Sequence, residues 1–367
     1  MRISKQEQRA GDASNQIQAN NIIVQTGMTS KEAGDIFRAI IPSVLSEYKK
    51  EAFNIAEERV NRLENKLLPM IESIEGALEN FKDPAFQMQL RNAQMSAAVC
   101  DQESDLDMLS QLMIKHIEIK ENREKRLGVK KAIEIIGYID NKALLSLTIL
   151  CIFLNIIPTN SNVYDGLENL EKIYNKLLYD ELPKDDSWID HLELLNVIST
   201  YRYSNKFTLQ DLCLTAYEGY ASAGIEKGSE NYKKATNLLL SIRMDSTSLI
   251  DNPLLEGYVI LPIVNKNIIK NLEIDEKTEG GIKKRVVTER EAEILLKIFD
   301  LYDKEMKEKA IQNFISLWDT HPTLKKIHEW TNQIPFRINL NIVGLTLAAT
   351  NAKRCVPSIG NLDFWGR

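Results

Sequence analysis

Residues 53–81 read FNIAEERVNRLENKLLPMIESIEGALENF. Phe53, Ala56, Val60, Leu63, Leu67, Met70, Ile74, Ala77 and Phe81 follow one another at intervals of three and four. That alternation holds one stripe on one side of an α-helix, so it predicts a coiled-coil seam or the inner face of a long helical hairpin. Just upstream, Thr29–Glu32 (TSKE) is a capping-box pattern, and the helical stretch is expected over 29–81. Pro42 and Pro69 lie inside it; each lacks a backbone N–H and predicts a kink or break. The seam has two possible uses, packing within the chain or pairing with another copy.

Downstream the pattern stays helical. Asp83 and Pro84 match an N-cap and first helical residue, and helices are expected over 85–99, 105–119, 123–139 and 141–157. Leu106, Leu109, Leu112, Met113 and Ile117 make one apolar face. Residues 158–162 (PTNSN) form a polar turn cluster and mark a domain boundary. Helices resume over 163–178, 188–204 and 208–221. Residues 271–288 (NLEIDEKTEGGIKKRVVT) read as a β-hairpin turning at Gly280-Gly281, and Thr288–Glu291 caps a further helix. Helical pattern fills 304–330 and about 340–354. The expected fold is mainly α: a multi-helix bundle with a long N-terminal helical segment, a short N-terminal β segment and a small β-hairpin in the C-terminal half. Three regions follow: 1–27, 28–158 and 159–367.

Residues 1–27 are polar and rich in Asn and Gln. Two five-residue units align within them, 15–19 (NQIQA) and 20–24 (NNIIV). Amide ladders and interdigitated Ile and Val suit strands stacked in register. The stretch therefore has two readings, a strand completed by pairing and a mobile tail with a short edge strand. The expected self-association residues are Ile17, Gln18, Ile22, Ile23 and Val24 on the strand, with Leu63, Leu67, Met70 and Ile74 on the helical seam.

Composition narrows the function classes. The chain has 367 residues, enough for two or three domains. Forty-four per cent hydrophobic residues rule out a disordered chain, and only 16 Gly and 10 Pro weigh against an all-β fold. Lys and Arg number 46 against 52 Asp and Glu, and the net charge of −6 argues against nucleic-acid binding through overall charge. Cys100, Cys151, Cys213 and Cys355 are too far apart for a CxxC metal pair. The first residues lack the apolar core of a signal peptide, and a cytoplasmic, reduced protein is expected.

Motifs for chemistry are sparse. His116, His191, His321 and His328 show no metal-ligand spacing. Residues 224–229 (GIEKGS) lack the Lys-Ser/Thr pair of a phosphate loop, and no GxSxG elbow occurs. Asp185, Asp186 and Asp190 could hold a divalent ion, and Lys283-Lys284-Arg285 could imitate a DNA-binding wing. The plainer readings are a solvated loop and a charged strand edge. Residues 143–157 (ALLSLTILCIFLNII) fall short of the roughly 18–20 apolar residues that span a bilayer and read as a buried helix, with membrane entry after rearrangement the other reading. No catalytic residues, metal or cofactor are expected.

Three stretches resemble an uncharacterised family of bacterial helical proteins: 11–33 (GDASNQIQANNIIVQTGMTSKEA), 81–98 (FKDPAFQMQLRNAQMSAA) with the Leu-rich helix at 106–117, and 340–354 (LNIVGLTLAATNAKR) with Leu362-Asp363-Phe364-Trp365. The bundle at 81–157 is also distantly similar to the abortive-infection alpha family of phage defence. The resemblance implies a role in defence, and with the Asn/Gln/Ile segment and the helical seam the expected function is that of a non-enzymatic protein that self-associates or binds a protein partner. The alternatives are a metal-dependent nuclease or nucleotide-hydrolysing effector, and a membrane-disrupting effector.

Overall fold

The computed structural model describes residues 30–119, 122–158, 160, 162–278 and 281–359. They are mainly helical. In chain order come α1 (Ser30–Glu72), α2 (Pro84–Val99), α3 (Glu103–Glu118), α4 (Arg123–Ile135), α5 (Asn141–Asn155), α6 (Val163–Leu177) and α7 (Ser187–Leu194). Next are β1 (Ile198–Tyr201), α8 (Leu209–Thr215), β2 (Ile225–Glu226), α9 (Glu230–Ser241), β3 (Ile250–Asp251), β4 (Tyr258–Ile260), β5 (Glu273–Thr278) and β6 (Gly281–Val286). The last elements are α10 (Glu289–Asp300), α11 (Lys307–Trp318), α12 (Pro322–Thr331), β7 (Arg337–Leu340) and α13 (Ile342–Cys355).

Side-chain caps set the helix starts. Asp83 accepts from the Ala85 N–H at 2.9 Å, with Pro84 opening α2. Asp140 accepts from Lys142 and Ala143 ahead of α5, and Asn341 from Val343 and Gly344 ahead of α13. Thr288 and Glu291 form the full reciprocal box expected from the sequence.

Two expectations need correction. Helix α1 runs through both Pro42 and Pro69. A proline deletes one rung of the ladder but leaves those on either side, and Pro69 stands in the last turn, where little ladder remains to lose. The helix ends at Glu72 instead, and a 3-10 turn over Ala77–Lys82 follows Gly76 at φ +72°. The helix expected over 188–204 stops at Leu194. Asn196 adopts φ +53° and turns the chain into β1. That strand pairs antiparallel with β7, Ile198 opposite Leu340 and Tyr201 opposite Arg337. A partner so far along the chain leaves no local trace.

The main apolar core runs from Leu63 to Ile359 and is continuous across the 158–162 loop. Helix α5 lies within it, covered by α13, α7 and α6. Ala143 through Phe153 are all buried, and Ser146 and Thr148 return their hydroxyls to the Lys142 and Leu144 carbonyls at 2.7 Å. Among the described residues no helix is long and apolar enough to cross a membrane. Helix α13 closes the core against α5, α4 and α3. Its approach is tight at Gly344, where a Cβ would lie 2.4 Å from the Val197 carbonyl oxygen.

A second core joins α9, α10, the β2–β4–β3 sheet and the base of the β5–β6 hairpin, around Ile225, Leu239, Val259, Ile298 and Phe299. The hairpin lies where the sequence placed it. Asn252 fastens this unit to the body, donating to the Ser222 and Ala223 carbonyls at 3.0 and 2.7 Å.

Two substitutions test these contacts. Gly344→Ala gains about 1 kcal/mol of helix propensity. The clash with Val197 costs more, and a net loss of about 1–3 kcal/mol is expected in urea unfolding. At α10, Arg285 and then Thr288 hold the Glu291 carboxyl at about 2, below its ordinary 4.5. That stabilisation is complete above pH 4.5 and is lost as the pH falls toward 2. Glu291→Gln is expected to cost about 2 kcal/mol at neutral pH, with the gap to wild type closing in acid.

Candidate association surface

Helix α1 changes character along its length. Its C-terminal part is bound into the body. Leu63, Leu67 and Ile71 are buried at four-residue intervals against α2 and α3. Met70 and Ile74 are partly buried against the same core. Arg59 donates to the Ala98 carbonyl at 3.2 Å, and Lys66 bridges Glu103 and Asp107 at 2.8 and 2.6 Å. The seam read at Leu63, Leu67, Met70 and Ile74 is thus occupied within this chain. The remaining residues expected to associate, Ile17, Gln18, Ile22, Ile23 and Val24, lie outside the described residues.

From Lys49 to Ile55 every side chain is exposed. Seven successive positions make about two turns, so no side of the helix there rests on the body. Phe53 is 64% exposed and Ile55 45%. Phe53 was legible as part of the seam; Ile55 was not, because it falls outside the 3-4 stripe.

The residues examined for chemistry are dispersed. The Asp185 carboxylate accepts from the Ser187 N–H at 3.0 Å, and Asp190 joins Glu193 in pairing with Arg202 at 3.3 and 3.2 Å. Asp185 and His191 border one shallow cleft of about 500 Å³, where the His191 Nε2 accepts from the Asp140 N–H. His328 pairs with Asp319 at 2.9 Å, and the part-buried His116 ring packs on Phe86. Among the described residues no group of three metal-ligating side chains converges. Burial pushes the Cys100, Cys151 and Cys213 thiols up to about 12, which keeps them protonated and poorly nucleophilic. Residues 224–229 make a turn and a cap: Gly224 sits at φ +81° on β4, and Ser229 caps α9.

The basic hairpin is balanced internally. Lys284 stands opposite Asp275 and Lys283 opposite Glu276 in the strand register. Arg285 holds Glu291 with two bonds, of 2.8 and 2.6 Å.

A buried polar network lies between α5 and α13. The Asn351 amide donates to the Thr148 hydroxyl at 2.9 Å, and its oxygen accepts from Arg354 Nε and Nη2 at 3.0 and 2.9 Å. The Arg354 guanidinium covers the Tyr179 ring at 5.4 Å. Nearby, Asp105 is buried at the start of α3.

The fold is that of a mainly helical protein whose longest helix outruns its body. A family model matches residues 27–366, and the chain belongs to that family, which is uncharacterised. No curated protein and no solved structure matches it.

Burial, with the Asp101 charge second, raises the Asp105 carboxyl from 3.8 to about 6. The folded state therefore binds the proton more tightly, and stability falls as the pH rises from 3.8 to 6. Asp105→Asn removes that penalty. It is expected to stabilise the protein by about 1–3 kcal/mol above pH 6, with no gain below pH 4, in chemical melts across the range.

Proposed function

We propose that this protein is a non-enzymatic association module, and that the N-terminal part of α1 pairs with a second copy of the chain. The observation that carries the reading is the exposed helical stretch at 49–55, with Phe53 and Ile55 presented to solvent. Helices in water draw most of their stability from tertiary packing of an apolar face. This stretch has no such packing from its own body, and a second copy supplies it. The Asn/Gln/Ile segment at 15–24 adds a second means of pairing through backbone amides. The roles of Asp185, Asp190 and Glu291 in caps and ion pairs also favour a binding function.

The cellular role we propose is bacterial defence against phage, on the similarity of residues 81–157 to the abortive-infection alpha family. Phage plating on cells expressing the chain tests that role, with loss of protection expected for any variant that no longer assembles.

Light scattering after size exclusion tests association. The full chain is expected as a dimer or larger at tens of micromolar, and Phe53→Glu with Ile55→Glu is expected to weaken the assembly at least about tenfold. Deletion of residues 1–27 separates the strand's share from the helix's. A full chain that stays monomeric at that concentration rejects the reading.

A further inference from the structure

The outer faces of α2 and α4 carry Met88, Met95, Val99 and Leu127, and the 3-10 turn Ile136–Tyr138 that follows α4 adds Tyr138, each more than half exposed. On α2, Met88, Met95 and Val99 lie opposite the buried Phe86, Gln89, Ala93 and Ala97. The two helices run side by side in the same direction. The Ser96 hydroxyl donates to the Ile133 carbonyl at 2.8 Å. A Cβ on Gly137 would lie 3.5 Å from the Val99 side chain, so the ends of the two helices adjoin. The apolar residues therefore share one surface.

This surface is also where positive charge collects. Residues 123–131 (REKRLGVKK) hold five basic side chains against Glu124 alone, in a chain whose net charge is −6. Arg123 and Lys131 are exposed, as is Arg91 on α2, and Lys130 is partly so. One Lys131 bond, of 2.6 Å, goes to Glu134. Exposed apolar side chains rimmed by Lys and Arg match an anionic bilayer surface: the chains enter the headgroup boundary while the bases meet the phosphates. Methionine suits that task, being flexible and polarisable. The acidic remainder of the molecule is repelled by the same surface, which fixes the orientation.

We propose that the α2–α4 face binds the surface of an anionic membrane without spanning it. The occupant is a lipid surface because the charge segregation is complementary to one. Residues 30–55, the obvious segment a second copy would offer, hold equal numbers of acidic and basic residues.

Flotation of the full chain with phosphatidylglycerol/phosphatidylcholine vesicles, against phosphatidylcholine alone, tests this. Binding to the anionic vesicles is expected, at least about tenfold weaker on the neutral ones and weakened by salt. Lys130→Gln with Lys131→Gln is expected to cost about fivefold for each residue. Met95→Asp with Val99→Asp is expected to abolish binding, and both positions are exposed, so thermal melts should match wild type. Absent binding to anionic vesicles at low salt overturns the proposal. So does equal binding to both vesicle types, or binding that neither double variant changes. If Met95→Asp with Val99→Asp instead dissociates a lipid-free assembly, the face belongs to a second copy and the proposal falls.

Discussion

The seating of α13 on α4 and α5 is the contact on which the rest of the body depends. It joins the last described helix to helices two hundred residues earlier, within one continuous core. Two features permit it. Gly128 of α4 leaves room for Ile342 of α13, whose side chain would lie 2.9 Å from a Cβ there, and Asn351, held by Arg354 on its own helix, reaches Thr148 of α5. A buried amide left unpaired would cost about 1–3 kcal/mol, so this network also rejects misplaced registers of α13.

Closure at α13 shapes what the N-terminal half can do. With α3 held between α13 and α1, the part of α1 level with α2 and α3 finds apolar surface to cover. Arg59 and Lys66 fix that part by contacts to α2 and α3, and from Lys49 to Ile55 the helix has no body beside it. A single helix thus serves as a wall of the core toward its C-terminus and as a free surface over residues 49–55. The transition falls within a continuous 3-4 apolar pattern that looks uniform in sequence.

That uniformity explains what was legible and what was not. Local signals survived folding: the caps at Asp83 and Thr288, the hairpin at 271–288 and the buried helix at 143–157. Each rests on residues within a few positions of one another. The β1–β7 pair, the close approach at Gly344 and the exposure of Phe53 depend on partners remote in sequence, which periodicity cannot report. The stripe of Met88, Met95 and Val99 was present in the sequence at helical spacing. It was obscured because the opposite side of α2 is built from one phenylalanine, two alanines and a glutamine, so no apolar face stands out from the other.

The two proposed surfaces are neighbours. Arg59 bonds to Ala98, so α1 leaves the body at the end of α2 that carries Val99. Copies joined through α1 would bring several α2–α4 faces into one particle. Each face alone offers a shallow contact, with roughly 1 kcal/mol for each basic residue near the headgroups. Once one face is bound, the next meets the same bilayer at a high effective concentration, and overall affinity rises without any new contact. Assembly would then set the strength of membrane binding. That coupling follows from geometry, because the same helix end that frees α1 also bounds the basic apolar face.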